Sequence, residues 1–176
     1  VHATTVNKVC ASGMKAVIFG TQSILLGDND VVVAGGMESM SRTPFYLEKA
    51  RYGYRYGHGQ RIDGVMKDGL TDVYHQTAMG NSAELCAAKY GITREAADEF
   101  ALASQQKYAA AEKEGFYKGE ILPISLPGKK KDAPPEVFQA DEHPRRDASL
   151  ESLQKLKPLF EGGVVTAGNA SGVNDG

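Results

Sequence analysis

Cys10 carries the sharpest chemical promise in this chain. It follows a β-branched stretch, residues 3–9, and precedes a run with helical spacing, which places it at or near a helix N-terminus. Unpaired backbone N–H groups and the positive end of the helix dipole favour thiolate there. Ala11, Ser12 and Gly13 are small enough to admit a bulky acyl group. The Cys10 N–H could then donate to the acyl oxygen as charge develops on it. The competing reading is a buried structural thiol, the commoner fate of a lone cysteine. Two loops offer weaker chemistry. Gly35-Gly36-Met37-Glu38-Ser39-Met40 follows the C-terminal end of an apolar run, where open α/β sheets place their sites, but a glycine pair also makes an ordinary tight turn. Gly168-Asn169-Ala170-Ser171-Gly172 could hydrogen-bond a ligand amide, or could form a turn whose Asn and Ser side chains bond their own backbone. His75 and His143 have acid–base chemistry but no sequence partner, and read as surface residues. Cys86 shares an apolar helical face with Met79, Ala83 and Tyr90 and reads as core filler.

Composition narrows the classes. The chain has 176 residues, 41% apolar and 24% charged, the balance of a globular domain. Its net charge of −2, from 20 basic and 22 acidic residues, lacks the basic excess of a nucleic-acid binder. The one basic run, Lys129-Lys130-Lys131, reads as a solvated loop tip. No apolar run approaches the ~20 residues of a membrane helix. Two cysteines fit a reducing compartment better than a disulfide framework, which makes the cytoplasm the default location. The four histidines are scattered without metal-ligand spacing, so no metal is expected. The chain starts without Met in a β-like stretch and stops at Asn174-Asp175-Gly176, as expected of an internal piece of a longer protein.

The elements that must position these groups follow from periodicity. Residues 3–9 and 31–34 read as strands, the second buried on both faces. Between them Met14, Val17, Ile18, Ile24 and Leu25 recur at helical spacing, so residues 1–34 predict a βαβ unit. Residues 42–62, with four tyrosines and four arginines, have no clean period and read as a long excursion loop. A helix is predicted over 79–90, ended by Gly91. Thr93 caps the next, with Glu95 in its first turn and Ala97, Phe100, Ala101, Tyr108 and Ala111 on its buried face. Residues 121–126 and 136–140 predict a hairpin, with Pro123 at an edge. Ser149 caps a short helix carrying Leu150, Leu153 and Leu156, stopped before Pro158.

In combination these stretches resemble the thiolase family, and within it the acetyl-CoA C-acetyltransferase (acetoacetyl-CoA thiolase) type. The resemblance rests on Asn7-Lys8-Val9-Cys10-Ala11-Ser12-Gly13-Met14-Lys15-Ala16 and on Val33-Ala34-Gly35-Gly36-Met37-Glu38-Ser39-Met40-Ser41. It continues through Lys67-Asp68-Gly69-Leu70-Thr71-Asp72, Met79-Gly80 with Ala83-Glu84, and Thr166-Ala167-Gly168-Asn169-Ala170-Ser171-Gly172. These occur in family order from end to end. The resemblance implies part of a layered αβαβα fold: residues 1–40 in the N-terminal core, 41–171 as the inserted α+β loop domain that covers coenzyme A, and 172–176 returning to the core. Residues 42–62 are then the oligomerisation loop of a homotetramer.

The implied chemistry is a Claisen condensation of two acetyl-CoA to acetoacetyl-CoA and CoA, reversible as thiolysis, through an acetyl-cysteine at Cys10. No prosthetic group is implied, only coenzyme A thioesters as substrates. Carried over position by position, Ser171 meets the pantetheine amide, and Ala167, Gly168 and Val173 line its tunnel. Leu70 and Met79 are pantetheine-side contacts. Arg145 and Ser152 fall at the nucleotide end, with Arg146 as the neighbouring alternative to Arg145, and Leu159 and Phe160 are wall residues. Two departures stand out. Ala78 occupies the place where many members carry a ligand-touching histidine. The family's Asn-Glu-Ala-Phe, Gly-His-Pro and Cys-x-Gly-Gly-Gly stretches, which hold the activating histidine and the acid/base cysteine, are absent from these 176 residues. A degradative 3-ketoacyl-CoA thiolase and a non-catalytic CoA-binding fragment are the competing readings. Mitochondrial and peroxisomal enzymes would look alike over this stretch. The purified 176-residue chain is expected to leave acetoacetyl-CoA and CoA unconsumed in a thiolysis assay; measurable turnover would refute this.

Overall fold

A computed structural model describes residues 2–128 and 133–175, so the lysine run lies outside the described residues. The chain forms two compact units, one of Val1–Val73 with Val173–Gly176 and one of Tyr74–Gly172.

In the first unit, helix α1 spans Ser12–Leu25, as the apolar spacing predicts. It ends where Gly27 takes φ 77°, a left-handed conformation that glycine adopts without steric cost. Gly20 is its one buried residue; a Cβ there would stand 3.0 Å from Val32 Cγ1, so the 31–34 segment runs close over the helix. Neither residues 3–9 nor 31–34 forms a strand, which corrects the predicted βαβ unit. Among the described residues the only sheets are two antiparallel pairs. A strand is defined by a backbone partner, and neither segment has one. The predicted apolar face of α1 is correspondingly uncovered, with Met14 71% and Leu25 80% exposed.

The 42–62 excursion is less irregular than its sequence. Strand β1, Phe45–Tyr46, pairs with β2, Ile62–Asp63. A π-helical turn, Val65–Leu70, follows. Tyr46 Oη donates to Asp68 Oδ2 at 2.5 Å, Lys67 pairs with Glu48, and Val65 N–H donates to Asp63 at 2.9 Å. The hydrogen bond to Asp68 raises the Tyr46 hydroxyl above its usual range. The Ser41 N–H and hydroxyl both donate to Asp175, 134 positions further along. These bonds to Ser41 hold the Asp175 carboxyl below its usual range.

The second unit follows the predicted order. Helix α2 spans Met79–Tyr90, with Gly91 in the left-handed region at φ 64°. Helix α3 spans Arg94–Lys113, and its Thr93 cap accepts from Ala96 N–H at 3.2 Å. Strands β3, Ile124–Leu126, and β4, Glu136–Phe138, form the hairpin, Ile124 opposite Phe138 and Leu126 opposite Glu136. Helix α4, Leu150–Gln154, starts with a reciprocal cap. Ser149 Oγ accepts from Ser152 N–H at 3.2 Å, and Ser152 Oγ accepts from Ser149 N–H at 3.1 Å. An isolated antiparallel bridge joins Pro158 to Thr166.

The buried set of this unit is Ala87, Asp98, Leu153, Val165 and Thr166. Two faces differ from expectation. Phe100 is 79% exposed, because α3 turns Asp98, not Phe100, inward. On α2, Cys86 is exposed rather than core filler; the helix turns Gly80, Glu84 and Ala87 inward instead. Glu84 turns inward and accepts from the backbone N–H groups of Val164 and Val165. Thr93→Ala removes the acceptor for one otherwise unpaired N–H of α3 and is expected to cost about 1 kcal/mol, read as a lower urea midpoint for the helical signal.

Candidate active site

Cys10 lies in a 3-10 turn, Val9–Ala11, that runs directly into α1. It is exposed and free of any disulfide, so the structural-thiol reading fails on burial. The turn before it is unusual. Val9 has φ 49°, a left-handed conformation that a β-branched residue rarely adopts. Side chains on both sides hold it there. Asn7 Oδ1 accepts from Val9 N–H at 3.0 Å, Ser12 Oγ accepts from Lys8 N–H at 2.8 Å, and the Ser12 hydroxyl donates to Val9 O at 2.7 Å. Asn7 and Ser12 thus bracket the cysteine and fix the backbone that presents it. Leu70, in the same unit, is half-buried at the end of the π-helical turn. Val173 is exposed where the chain re-enters this unit.

The remaining candidate residues belong to the second unit, and several are brought together there. Met79 opens α2 and Gly80 follows it. A Cβ on Gly80 would stand 2.7 Å from Phe160 Cε2, so the Phe160 ring packs against the start of α2. Leu159 N–H donates to Val165 O at 2.8 Å, tying the wall segment to the loop that follows. In that loop a Cβ on Gly168 would stand 2.5 Å from Leu153 Cδ2 and 2.6 Å from Leu156 Cδ1. Only glycine lets the loop press on α4, next to Ser152. Ala167 and Ser171 are exposed, their side chains accessible to a ligand.

The turn reading of the 168–172 loop is correct for Asn169. Its Oδ1 accepts from Thr166 N–H at 2.7 Å, and its Nδ2 donates to Val164 O at 2.9 Å and to Asp98 Oδ1 at 2.9 Å. Ser171, by contrast, stays exposed and outside this bonding. Glu84 accepts from Val164 N–H at 2.9 Å and Val165 N–H at 2.8 Å. Asp98 is fully buried and accepts from Arg94 Nε at 2.7 Å. Arg94 in turn donates to Leu153 O at 2.7 Å and Leu156 O at 3.0 Å. Among the described residues no buried side-chain nitrogen or oxygen lacks a partner.

The two arginines separate cleanly. Arg146 forms a two-pronged pair with Glu112, at 2.6 and 2.5 Å, and lies over the Tyr108 ring. That pair holds the Glu112 carboxyl below its usual range and raises Arg146. The Tyr108 hydroxyl is pushed up, by desolvation first and then by the Glu112 charge. Arg145 donates instead to two carbonyls, Glu142 O at 3.2 Å and His143 O at 3.0 Å, and its N–H meets Gln105 Oε1 at 2.8 Å. Among the described residues Arg145 pairs with no carboxylate, which leaves its charge for an anion. Sequence reading missed Glu84, Arg94 and Asp98. The Arg94–Asp98 spacing of four was a visible signal for an ion pair, but spacing does not say that the pair is buried.

The sequence matches the thiolase N-terminal domain over residues 1–176. The chain belongs to the thiolase family, and its fold is part of the α/β thiolase fold. It is 53% identical to an acetyl-CoA acetyltransferase of Chromobacterium violaceum over 175 residues, 99% of this chain and 44% of that protein. It is also 53% identical to acetyl-CoA acetyltransferase 2 of Arabidopsis thaliana over 179 residues, all of this chain and 44% of that one. A crystal structure of the Bacillus anthracis acetyl-CoA acetyltransferase superposes with a TM-score of 0.85 at 44% identity, covering 94% of this chain and 41% of that one. The chain thus spans less than half the length of the relatives it matches.

Gly80→Ala forces the Phe160 ring off α2. It is expected to cost about 1–3 kcal/mol by overpacking, seen as a lower urea midpoint, while Gly119→Ala, which meets nothing within 4 Å, leaves the midpoint nearly unchanged.

Proposed function

We propose that these residues serve an acetyl-CoA C-acetyltransferase, in which Cys10 carries the acetyl group between two coenzyme A thioesters. One observation carries the reading: an exposed cysteine at the N-terminal end of a helix, in a chain 53% identical over its whole length to proteins named acetyl-CoA acetyltransferase.

In the first half-reaction the Cys10 sulfur attacks the acetyl carbonyl. An S–C bond forms, the bond from carbon to the CoA sulfur breaks, and CoA leaves with the proton that Cys10 gave up. In the second, an acetyl-CoA loses a methyl proton and its carbon attacks the acetyl-cysteine. Acetoacetyl-CoA forms and the Cys10 sulfur is released to be reprotonated. The base for this step and the donors for the enolate oxygen correspond to family stretches that the 176 residues do not contain.

Coenzyme A is proposed to meet Ser171 through its pantetheine amide, with Leu70, Met79, Leu159, Phe160, Ala167, Gly168 and Val173 along its length. Arg145 and Ser152 are assigned to its nucleotide end. The unneutralised charge of Arg145 supports it over Arg146. The division into core (1–40), loop domain (41–171) and return (172–176), the homotetramer, and a cytoplasmic location belong to the same reading. The location rests on cysteine usage alone.

Expressed from its complete gene, the protein is expected to release CoA from acetyl-CoA and form acetoacetyl-CoA. Cys10→Ala should lower that rate on the order of 10⁴-fold or more and abolish the acetyl adduct seen by mass spectrometry. An adduct on Cys86, or undiminished turnover by the variant, would overturn the assignment.

A further inference from the structure

Asp98 is the only fully buried acid among the described residues, and nothing in the proposed chemistry uses it. It lies on α3, remote in sequence from the loop it touches. Its two oxygens face two donors. Oδ2 accepts from Arg94 Nε at 2.7 Å and Oδ1 from Asn169 Nδ2 at 2.9 Å. A carboxylate only accepts, so it dictates which end of the Asn169 amide points to α3. With Nδ2 held inward, Oδ1 is left facing Thr166 N–H at 2.7 Å, and the second Nδ2 proton reaches Val164 O at 2.9 Å. A reversed amide would set its NH₂ against the Thr166 N–H and its oxygen against the Val164 carbonyl. The buried charge and these two backbone groups thus demand the same orientation of the Asn169 amide, which ties the turn to α3.

We infer that Asp98 is a positioning residue for coenzyme A: through Asn169 it fixes the loop that presents Ala167, Gly168 and Ser171. The part concerning the ligand rests on the reading that this loop meets CoA; the part concerning the loop does not. Arg94 completes the device. It neutralises Asp98 and also donates to Leu153 O and Leu156 O, anchoring the α4 end against which Gly168 packs. Glu84 holds the other end of the loop through the N–H groups of Val164 and Val165. The loop is thus gripped from α2, α3 and α4, and Asp98 is the grip that sets its side-chain orientation.

The arrangement makes the isosteric variant informative. In Asp98→Asn one face of the new amide must turn an NH₂ toward a donor, either Arg94 Nε or Asn169 Nδ2. Asn169→Ala removes the other partner at a half-buried position and keeps the test open if Asp98→Asn fails to fold. The measurement is hydrogen exchange on the protein expressed from its complete gene, resolved for residues 164–171 and for the middle of α3, paired with CoA binding by titration calorimetry. Ser171→Ala serves as the reference for the CoA reading.

Expected is exchange about tenfold or more faster at 164–171 in both variants, from the lost orientation of a buried amide, with the middle of α3 at wild-type rates. CoA should bind about tenfold more weakly than to the parent chain. Uniform acceleration across the chain, or no change at 164–171, would show a general structural role and overturn the inference. Faster loop exchange with CoA affinity unchanged, while Ser171→Ala weakens it, would overturn the positioning role and leave the CoA reading standing. If Ser171→Ala leaves CoA binding unchanged, the CoA reading fails, and the exchange result alone decides whether Asp98 sets the loop.

Discussion

A carboxylate with no solvent contact needs a hydrogen-bond donor at each oxygen, and in this chain an arginine answers one oxygen of Asp98 and an asparagine the other. The apolar core of the second unit is small, with Ala87, Leu153 and Val165 as its buried hydrophobic residues. Specific polar contacts therefore carry much of the definition of that unit. Glu84, Arg94, Asp98 and Asn169 tie three helices to one loop with bonds of 2.7–3.0 Å. The ligand-facing residues proposed for that loop inherit their positions from this network.

The cysteine proposed as the acyl carrier, Cys10, depends on a different kind of support. Val9 holds a conformation that costs of order 1–3 kcal/mol for a residue of its type. Asn7 and Ser12, two and three residues away, supply the hydrogen bonds that hold it. Such local strain needs a rigid surround, and here the surround is encoded within six consecutive residues, Asn7-Lys8-Val9-Cys10-Ala11-Ser12. The motif and the geometry are one feature seen at two levels.

Elements that make their own contacts were readable from the chain. Helices α2, α3 and α4 have their caps in the sequence: Gly91, Thr93 and the Ser149/Ser152 pair. The hairpin was readable from two β-rich runs around a turn. What escaped reading depends on partners. Residues 3–9 and 31–34 have strand composition but no neighbouring strand to pair with. The β1–β2 pair is two residues long on each side, too short for a period to declare itself. On α3 the predicted face is half-buried at Ala97, Ala101, Tyr108 and Ala111, but Asp98 rather than Phe100 is the buried residue, and on α2 Glu84 and Ala87 rather than Cys86 turn inward. Of the candidate site, Cys10 and its place before a helix were legible in residue type and order, whereas the Asn7 and Ser12 bonds around it were not. The network that orients the 164–170 loop was not, since a buried acid and a solvated one look alike in sequence.

The clasp between Ser41 and Asp175 has a consequence for how this architecture can vary. Those two residues are 134 positions apart, yet backbone and hydroxyl of one both donate to the carboxylate of the other. The chain leaves the first unit after Val73 and returns at Val173, so the clasp gathers the two ends of everything between. Once such ends are pinned, lengthening the span by a factor of two adds only about 0.6 kcal/mol of closure entropy. Closure entropy therefore sets little limit on the length of the span that leaves after Val73 and returns at Val173, and the clasp can tolerate insertions within it.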